Sequence, residues 1–144
     1  MKKKRKWIIV AIAVLIVAVG CVYSIPKLRV NLFVHSYHEL FEESLADSDA
    51  IHIGVPAEDA VLLGYDAVNG WKGDHPMVEF VIMSYGDTYY GCYYSPDDVP
   101  LAFQNTDVEL TQDGHAYWEW EAEGDNHGST SKIMERWYYF EASF

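Results

Sequence analysis

The chain of 144 residues carries ten basic and 22 acidic side chains, a formal net charge of −12, and is 50% hydrophobic and 15% aromatic. Seven basic and no acidic residues lie up to Arg29, which leaves Lys72, Lys132 and Arg136 against all 22 carboxylates in the remaining 115 residues. A polyanion of that kind repels nucleic acid, the wealth of core formers excludes a disordered acidic tail, and the length excludes two separate folding units.

Residues 1–6 form a basic stub, Lys2-Lys3-Lys4-Arg5-Lys6, ahead of nineteen uncharged residues from Trp7 to Ile25 that Pro26 closes. At about 1.5 Å per helical residue the run 7–25 approaches the ~30 Å hydrocarbon thickness of a bilayer. The cations in front hold the N-terminus in the cytoplasm, so the expectation is a single-pass protein of the cell membrane with residues 26–144 outside. Trp7 and Tyr23 fall near the two interfaces. Two alternatives stay open. Ala18-Val19-Gly20 suits a signal-peptide cleavage site, giving a secreted domain, and Cys21 suits lipid attachment, although Ala18 stands where a lipobox has Leu. All three export the acidic part. Cys92 is the one cysteine of that part, so no disulfide forms within it, and it reads as a small buried apolar residue.

A helix is expected over about 28–46. Val30, Phe33, Val34, Tyr37, Leu40, Phe41 and Leu45 recur at spacings of three and four, while His35, His38, Glu39, Glu42 and Glu43 take the opposite side. Pro26 suits its first turn, and Asp47-Ser48-Asp49 reads as its end. Strands fill about 63–144. One is expected near Leu63 to Trp71. Met77 to Tyr85 and Thr88 to Ser95 flank the turn Gly86-Asp87, and Ser95-Pro96-Asp97 has type I turn residues. Val108 to Gln112 and His115 to Glu123 flank Asp113-Gly114, and a last strand, Lys132 to Ala142, follows the loop Gly124 to Ser129.

The fold class is therefore α+β, with one amphipathic helix packed on a five- to six-stranded antiparallel meander. A cystatin-like roll is the expected architecture and a small closed β-barrel the alternative.

Chemistry is sparser. On the strand from His115, alternation puts Ala116, Trp118, Trp120 and Ala122 on one face and Tyr117, Glu119, Glu121 and Glu123 on the other, a carboxylate line that suits a solvated face or Ca²⁺. His35, His38 and Glu42 share one helix stripe that suits surface polarity or Zn²⁺. His38-Glu39-Leu40-Phe41-Glu42 departs from the zinc-protease motif at its last ligand. Asp97-Asp98 and Glu58-Asp59 read as turn carboxylates. No nucleophile elbow, phosphate loop or dinucleotide fingerprint occurs, so no cofactor is assigned. Neighbouring aromatics such as Tyr89-Tyr90, Tyr93-Tyr94 and Trp137-Tyr138-Tyr139-Phe140 must point to opposite sheet faces, so some must line a second apolar surface. The candidate ligand surface is Tyr89, Tyr93, Tyr117, Glu119, Glu121, Trp137 and Tyr139, in which rings supply flat apolar area and carboxylates supply acceptors.

The strings Thr88-Tyr89-Tyr90-Gly91-Cys92-Tyr93-Tyr94-Ser95-Pro96-Asp97-Asp98 and Glu135-Arg136-Trp137-Tyr138-Tyr139-Phe140-Glu141-Ala142-Ser143-Phe144 resemble small exported proteins of Gram-positive, clostridia-type bacteria. That resemblance implies one hydrophobic N-terminal segment and one short extracytoplasmic domain. The expected function is a membrane-anchored, non-catalytic binding module for a cell-envelope ligand or a membrane protein partner. The alternatives are an envelope hydrolase with Glu119 or Glu121 as acid or base, and an accessory subunit of a transporter or sensor.

Overall fold

The computed structural model describes residues 2–45 and 64–144, with side chains for 6–20, 24–43, 45 and 64–144. The helix end at Asp47-Ser48-Asp49 and the pair Glu58-Asp59 lie outside the described residues. Two helices, α1 (Lys2–Ser24) and α2 (Pro26–Leu45), precede seven strands: β1 (Ala67–Trp71), β2 (Met77–Tyr85), β3 (Thr88–Tyr94), β4 (Thr111–Gln112), β5 (Tyr117–Glu121), β6 (His127–Met134) and β7 (Trp137–Ser143).

All seven strands pair antiparallel in one open sheet of order β1-β2-β3-β7-β6-β5-β4, so the class is α+β and the barrel alternative is overturned. The single meander is corrected too. β3 pairs β7, and the chain between β3 and β4 crosses one face of the sheet to its far edge. The extra strand arises because the run Lys132 to Ala142 folds back as the β6–β7 hairpin. Its turn residues are poor turn formers, and Arg136 takes a φ of 64°. The turn is held from outside: the Arg136 N–H donates to Asp98 Oδ1 at 2.8 Å, and the Ser95 N–H donates to the Arg136 carbonyl at 2.8 Å. The Lys132 ammonium closes on the other oxygen of Asp98. Burial raises the Asp98 pKa, but Lys132, the Arg136 N–H and the Tyr138 hydroxyl outweigh it and leave it below the usual carboxylate range.

Pro26 opens α2, where a missing N–H costs nothing, and the Leu28 and Arg29 N–H groups both donate to the Ile25 carbonyl at 3.1 Å. α2 buries Val30, Phe33, Val34 and Phe41 against Phe80, Ile82, Cys92, Tyr94, Trp137 and Tyr139. Phe80 sits at the centre, with ring centroids of Phe41, Tyr65 and Phe33 at 4.7, 5.7 and 5.8 Å. Leu40, expected on the buried side, is exposed. Among the described residues no helix is long and apolar enough to cross a membrane, so the expected span 7–25 is not supported there.

The opposite face holds a second core of Met77, Val81, Tyr93, Tyr138, Phe140, Ala142 and Trp120, covered by the 95–110 crossover through Ala102 and Phe103. Gly91 and Gly128 let large rings lie flat on this face, since a Cβ at Gly91 would strike the Phe140 ring and one at Gly128 the Trp120 ring. Polar bonds fasten the crossover. The Leu101 N–H donates to Tyr93 Oη at 2.8 Å. Thr130 spends its proton on the Tyr139 carbonyl, so the Tyr93 hydroxyl donates to Thr130 Oγ1, at 2.7 Å. The Tyr138 hydroxyl donates to the Asp98 carbonyl at 2.9 Å.

Glu79 is the remaining fastener. It is 0% exposed, and its Oε2 accepts the Gln104 N–H at 2.8 Å at a residue whose φ is 55°. Oε1 is buried without a hydrogen-bond partner, as is the Trp71 indole Nε1, which is near enough to favour the anion without being aligned to donate. Burial pushes this carboxyl up to about 7, against the Gln104 N–H, Trp71 and Asn69, which favour the charged form. A carboxyl with a raised folded pKa contributes stability fully at low pH and loses it as pH rises. The Glu79-dependent part of the stability should therefore fall between pH 4.5 and about 7 by up to about 3 kcal/mol and stay level above that window. Urea unfolding of the wild type against Glu79→Gln from pH 4.5 to 8 measures it; a difference between the two curves that stays constant with pH would mean that the carboxyl is ionised throughout.

Candidate functional site

One helix about 10 Å across covers roughly two strands spaced about 4.8 Å apart. α2 is centred on β3 with β2 and β7 beside it, and the same face of β5 and β6 is left open. Register stacks that open area in three rows. Tyr117, Ser131 and Tyr139 form the first, Glu119, Ser129 and Glu141 the second, and Glu121, His127 and Ser143 the third. The second and third rows, with Tyr117, line a groove of about 240 Å³.

The groove is therefore a rank of carboxylates and hydroxyls with a phenol wall. The Tyr117 hydroxyl donates to Glu119 Oε1 at 3.0 Å, and the Tyr139 hydroxyl to Glu141 Oε2 at 3.3 Å. Ser129 lowers the Tyr117 pKa, but burial and the negative Glu119 and Glu141 win and raise it. Burial and Glu141 raise that of Tyr139. Both phenols stay protonated donors and leave the outward carboxylate oxygens as acceptors. His127 Nδ1 is 2.7 Å from the Asp125 carbonyl, so Nδ1 carries the proton. At the helix margin the Lys27 ammonium lies 5.4 Å from the Tyr139 ring centroid.

Alternation within β5 is as the sequence suggests: Trp118, Trp120 and Ala122 turn to the second core while Tyr117, Glu119 and Glu121 line the groove. The seven-residue surface is not one patch, however. Tyr93 is buried on the opposite face, stacked on Tyr138 at 5.2 Å with ring planes 5° apart, and Tyr89 stacks there on Phe103 at 5.8 Å. Trp137 is 0% exposed beneath α2, and Tyr139 is buried at the groove margin. The cause is register: Tyr94 pairs Trp137, so Tyr93 must share a face with Tyr138. His127, Ser129, Glu141 and Ser143 join the groove without having been singled out. Their signal was alternation within β6 and β7, hidden because those strands read as a loop and a single strand.

The helix stripe also changes. Glu42 Oε1 accepts the Trp137 indole N–H at 2.7 Å, so it faces the core, and His38 Nδ1 lies 3.1 Å from the Val34 carbonyl. His35 is exposed. Among the described residues no group of three or more His, Cys, Asp or Glu side chains is arranged to hold a metal ion. Asp97 pairs with His75 at 2.9 Å, and Cys92 is sealed in the core with its thiol pKa pushed up by burial. Comparison with family models, curated proteins and solved structures gives no match to this chain.

Glu42→Ala should orphan the Trp137 indole and cost about 1–3 kcal/mol in urea unfolding. The wild-type melting temperature should be the same with and without Zn²⁺; a zinc-dependent rise abolished by the same substitution would return Glu42 to a metal site.

Proposed function

We propose that this protein is a membrane-anchored, extracytoplasmic binding module whose ligand carries ammonium and hydroxyl groups, such as an amine-bearing envelope saccharide. The observation that carries the reading is the groove: Glu119, Glu121 and Glu141 converge on space that α2 leaves open, with Tyr117, Ser129 and Ser143 as neutral partners. Carboxylates facing solvent attract cations, and tyrosine rings supply the flat apolar area that sugar faces cover. Glu79, whose pKa suits proton transfer, is sealed on the other face of the sheet, so the groove lacks its help and binding is favoured over hydrolysis.

Anchoring is supported by two features of the N-terminal segment. α1 continues as helix from Lys2 to Ser24, and its described side chains from Lys6 to Gly20 are exposed all round, Trp7, Ile8, Ile9, Leu15 and Ile16 among them. A helix apolar on every side needs an apolar surround, which a bilayer provides for the uncharged sequence 7–25. The basic stub places residues 26–144 outside. The resemblance to exported clostridia-type proteins agrees with this placement.

The full chain in detergent should bind a glucosamine oligomer and discriminate at least tenfold against the fully N-acetylated oligomer of the same length. Combining Glu119→Gln, Glu121→Gln and Glu141→Gln should weaken binding at least tenfold, and added salt should mimic the effect. Isothermal titration measures both. Equal affinity for the two oligomers, or an unaltered affinity in the triple variant, would sink this assignment.

A further inference from the structure

Among the described residues Glu79 is the one buried carboxyl, and it takes part in no ion pair. The ion pairs of the crossover are made elsewhere, between His75 and Asp97 and between Lys132 and Asp98. β1 faces Glu79 with Asn69 and Trp71, β3 with Tyr93, whose phenol burial keeps protonated, and the crossover with the Gln104 N–H. Cys92 lies in the core of the opposite face as a thiol whose pKa burial raises. These neighbours bring hydrogen-bond donors to the carboxylate and no positive charge.

The walls around this carboxyl differ in strength. Asn69 and Tyr93 pair Glu79 within the sheet, so admitting water from β1 or β3 breaks a ladder of backbone bonds. The crossover wall is the short turn Phe103–Asn105. Gln104 and Asn105 there have φ of 55° and 52°, left-handed conformations that side chains other than glycine disfavour. The bonds within the turn are local: the Asn105 N–H donates to the Ala102 carbonyl at 3.0 Å and the Thr106 N–H to the Phe103 carbonyl at 3.2 Å. Glu79 holds the turn from below, and Asn105 Nδ2 holds it from the side by donating to the His75 carbonyl at 3.0 Å. Gln104, Thr106 and Asp107 are exposed. Water entering here disrupts the least structure.

We propose that the turn Phe103–Asn105 is a proton-controlled latch, closed on Glu79 while the carboxyl holds its proton and released into water when the proton leaves. The driving force is solvation. In the neutral form the proton sits on Oε1, and Oε2 still accepts the Gln104 N–H. In the ionised form the closed turn leaves Oε1 without a partner, whereas the open turn hydrates both oxygens. Release lifts Phe103 from the Phe140 ring, 5.1 Å away between centroids, and bares part of the second core while the strands stay paired. The carboxyl titrates at about 7 under the closed turn and near its ordinary 4.5 in water, so closure is strongest below pH 4.5, weakens as pH rises and levels off above about 7.

The test is amide hydrogen exchange of the full chain in detergent, read by NMR from pH 5 to 8 and divided by the intrinsic rate at each pH. Protection of the Gln104, Asn105 and Thr106 amides should fall about 50–100-fold over that range. It should lie below that of the β7 amides at every pH and be unchanged by urea kept under the unfolding transition, as a local opening requires. In Glu79→Gln, whose amide oxygen can still accept the Gln104 N–H and which keeps His75 beside Asp97, protection of the three amides should stay level with pH. Wild-type protection that is level with pH, or that tracks β7 and falls with urea, overturns the latch and leaves only an effect on global stability. A fall of the same size in Glu79→Gln assigns the pH dependence to His75 and Asp97 and overturns the role of Glu79. Should that variant not fold, the ¹³C shift of the wild-type Glu79 carboxyl decides: its midpoint should coincide with the pH at which protection levels off, and titration in the ordinary carboxylate range overturns the proposal.

Discussion

Adjacent aromatic residues on a strand cannot share a face, and this rule governs the domain. Tyr93-Tyr94 on β3 and Trp137-Tyr138-Tyr139-Phe140 on β7 are neighbours in the sheet, so their rings project alternately to both sides. A sheet built this way carries two apolar faces and needs two covers. α2 supplies one. The other is irregular chain, residues 95–110, which has no helical stripe of its own and meets the sheet through Ala102, Phe103 and a partial layer of Leu101, Val108 and Leu110.

Irregular cover brings a problem that a helix does not have, because its backbone groups find few partners within the segment itself. Here the sheet side chains beneath supply them. Tyr93 takes the Leu101 N–H, Glu79 takes the Gln104 N–H, and Tyr138 gives a proton to the Asp98 carbonyl. These polar atoms explain why tyrosine rather than phenylalanine stands at two of the most buried ring positions. They also explain why a carboxylate is kept where desolvation opposes its charge. Asp98 extends the same logic by fixing both the start of the crossover and the β6–β7 turn.

How much of this could be read from the chain follows from the range of the interactions. Local signals gave the Gly86-Asp87 turn, the Pro26 helix start, the two faces of β5 and the need for a second apolar surface, since each depends on residues a few positions apart. The β6–β7 hairpin was not legible, because Glu135-Arg136 turns only when Asp98, 38 residues away, accepts the Arg136 N–H. Missing that hairpin hid the partner of β3, and with it the register that separates Tyr93 from Trp137. Glu42 failed for the same reason: periodicity placed it on a wet stripe, while an indole 95 residues later drew it inward. Half of the groove was visible in β5 alone; Glu141 needed β7 to be known as a strand paired through β6.

The groove itself follows from a mismatch of widths. Seven strands at about 4.8 Å span about 29 Å, far more than one helix can roof. On the crossover side the long connection extends the cover as far as Trp118 and Trp120, but on the helix side the cover ends near β7. The side chains change where it ends: Trp137 and Tyr139 lie under α2, and then Glu141, Ser129, Glu119 and Glu121 face water. Polarity thus runs across the strands on one face, apolar beneath the helix and anionic past it, with Lys27 and the Tyr139 ring on the boundary. A ligand seated there would meet carboxylates on a rigid floor of backbone hydrogen bonds rather than on a mobile loop, which lowers the ordering cost of binding.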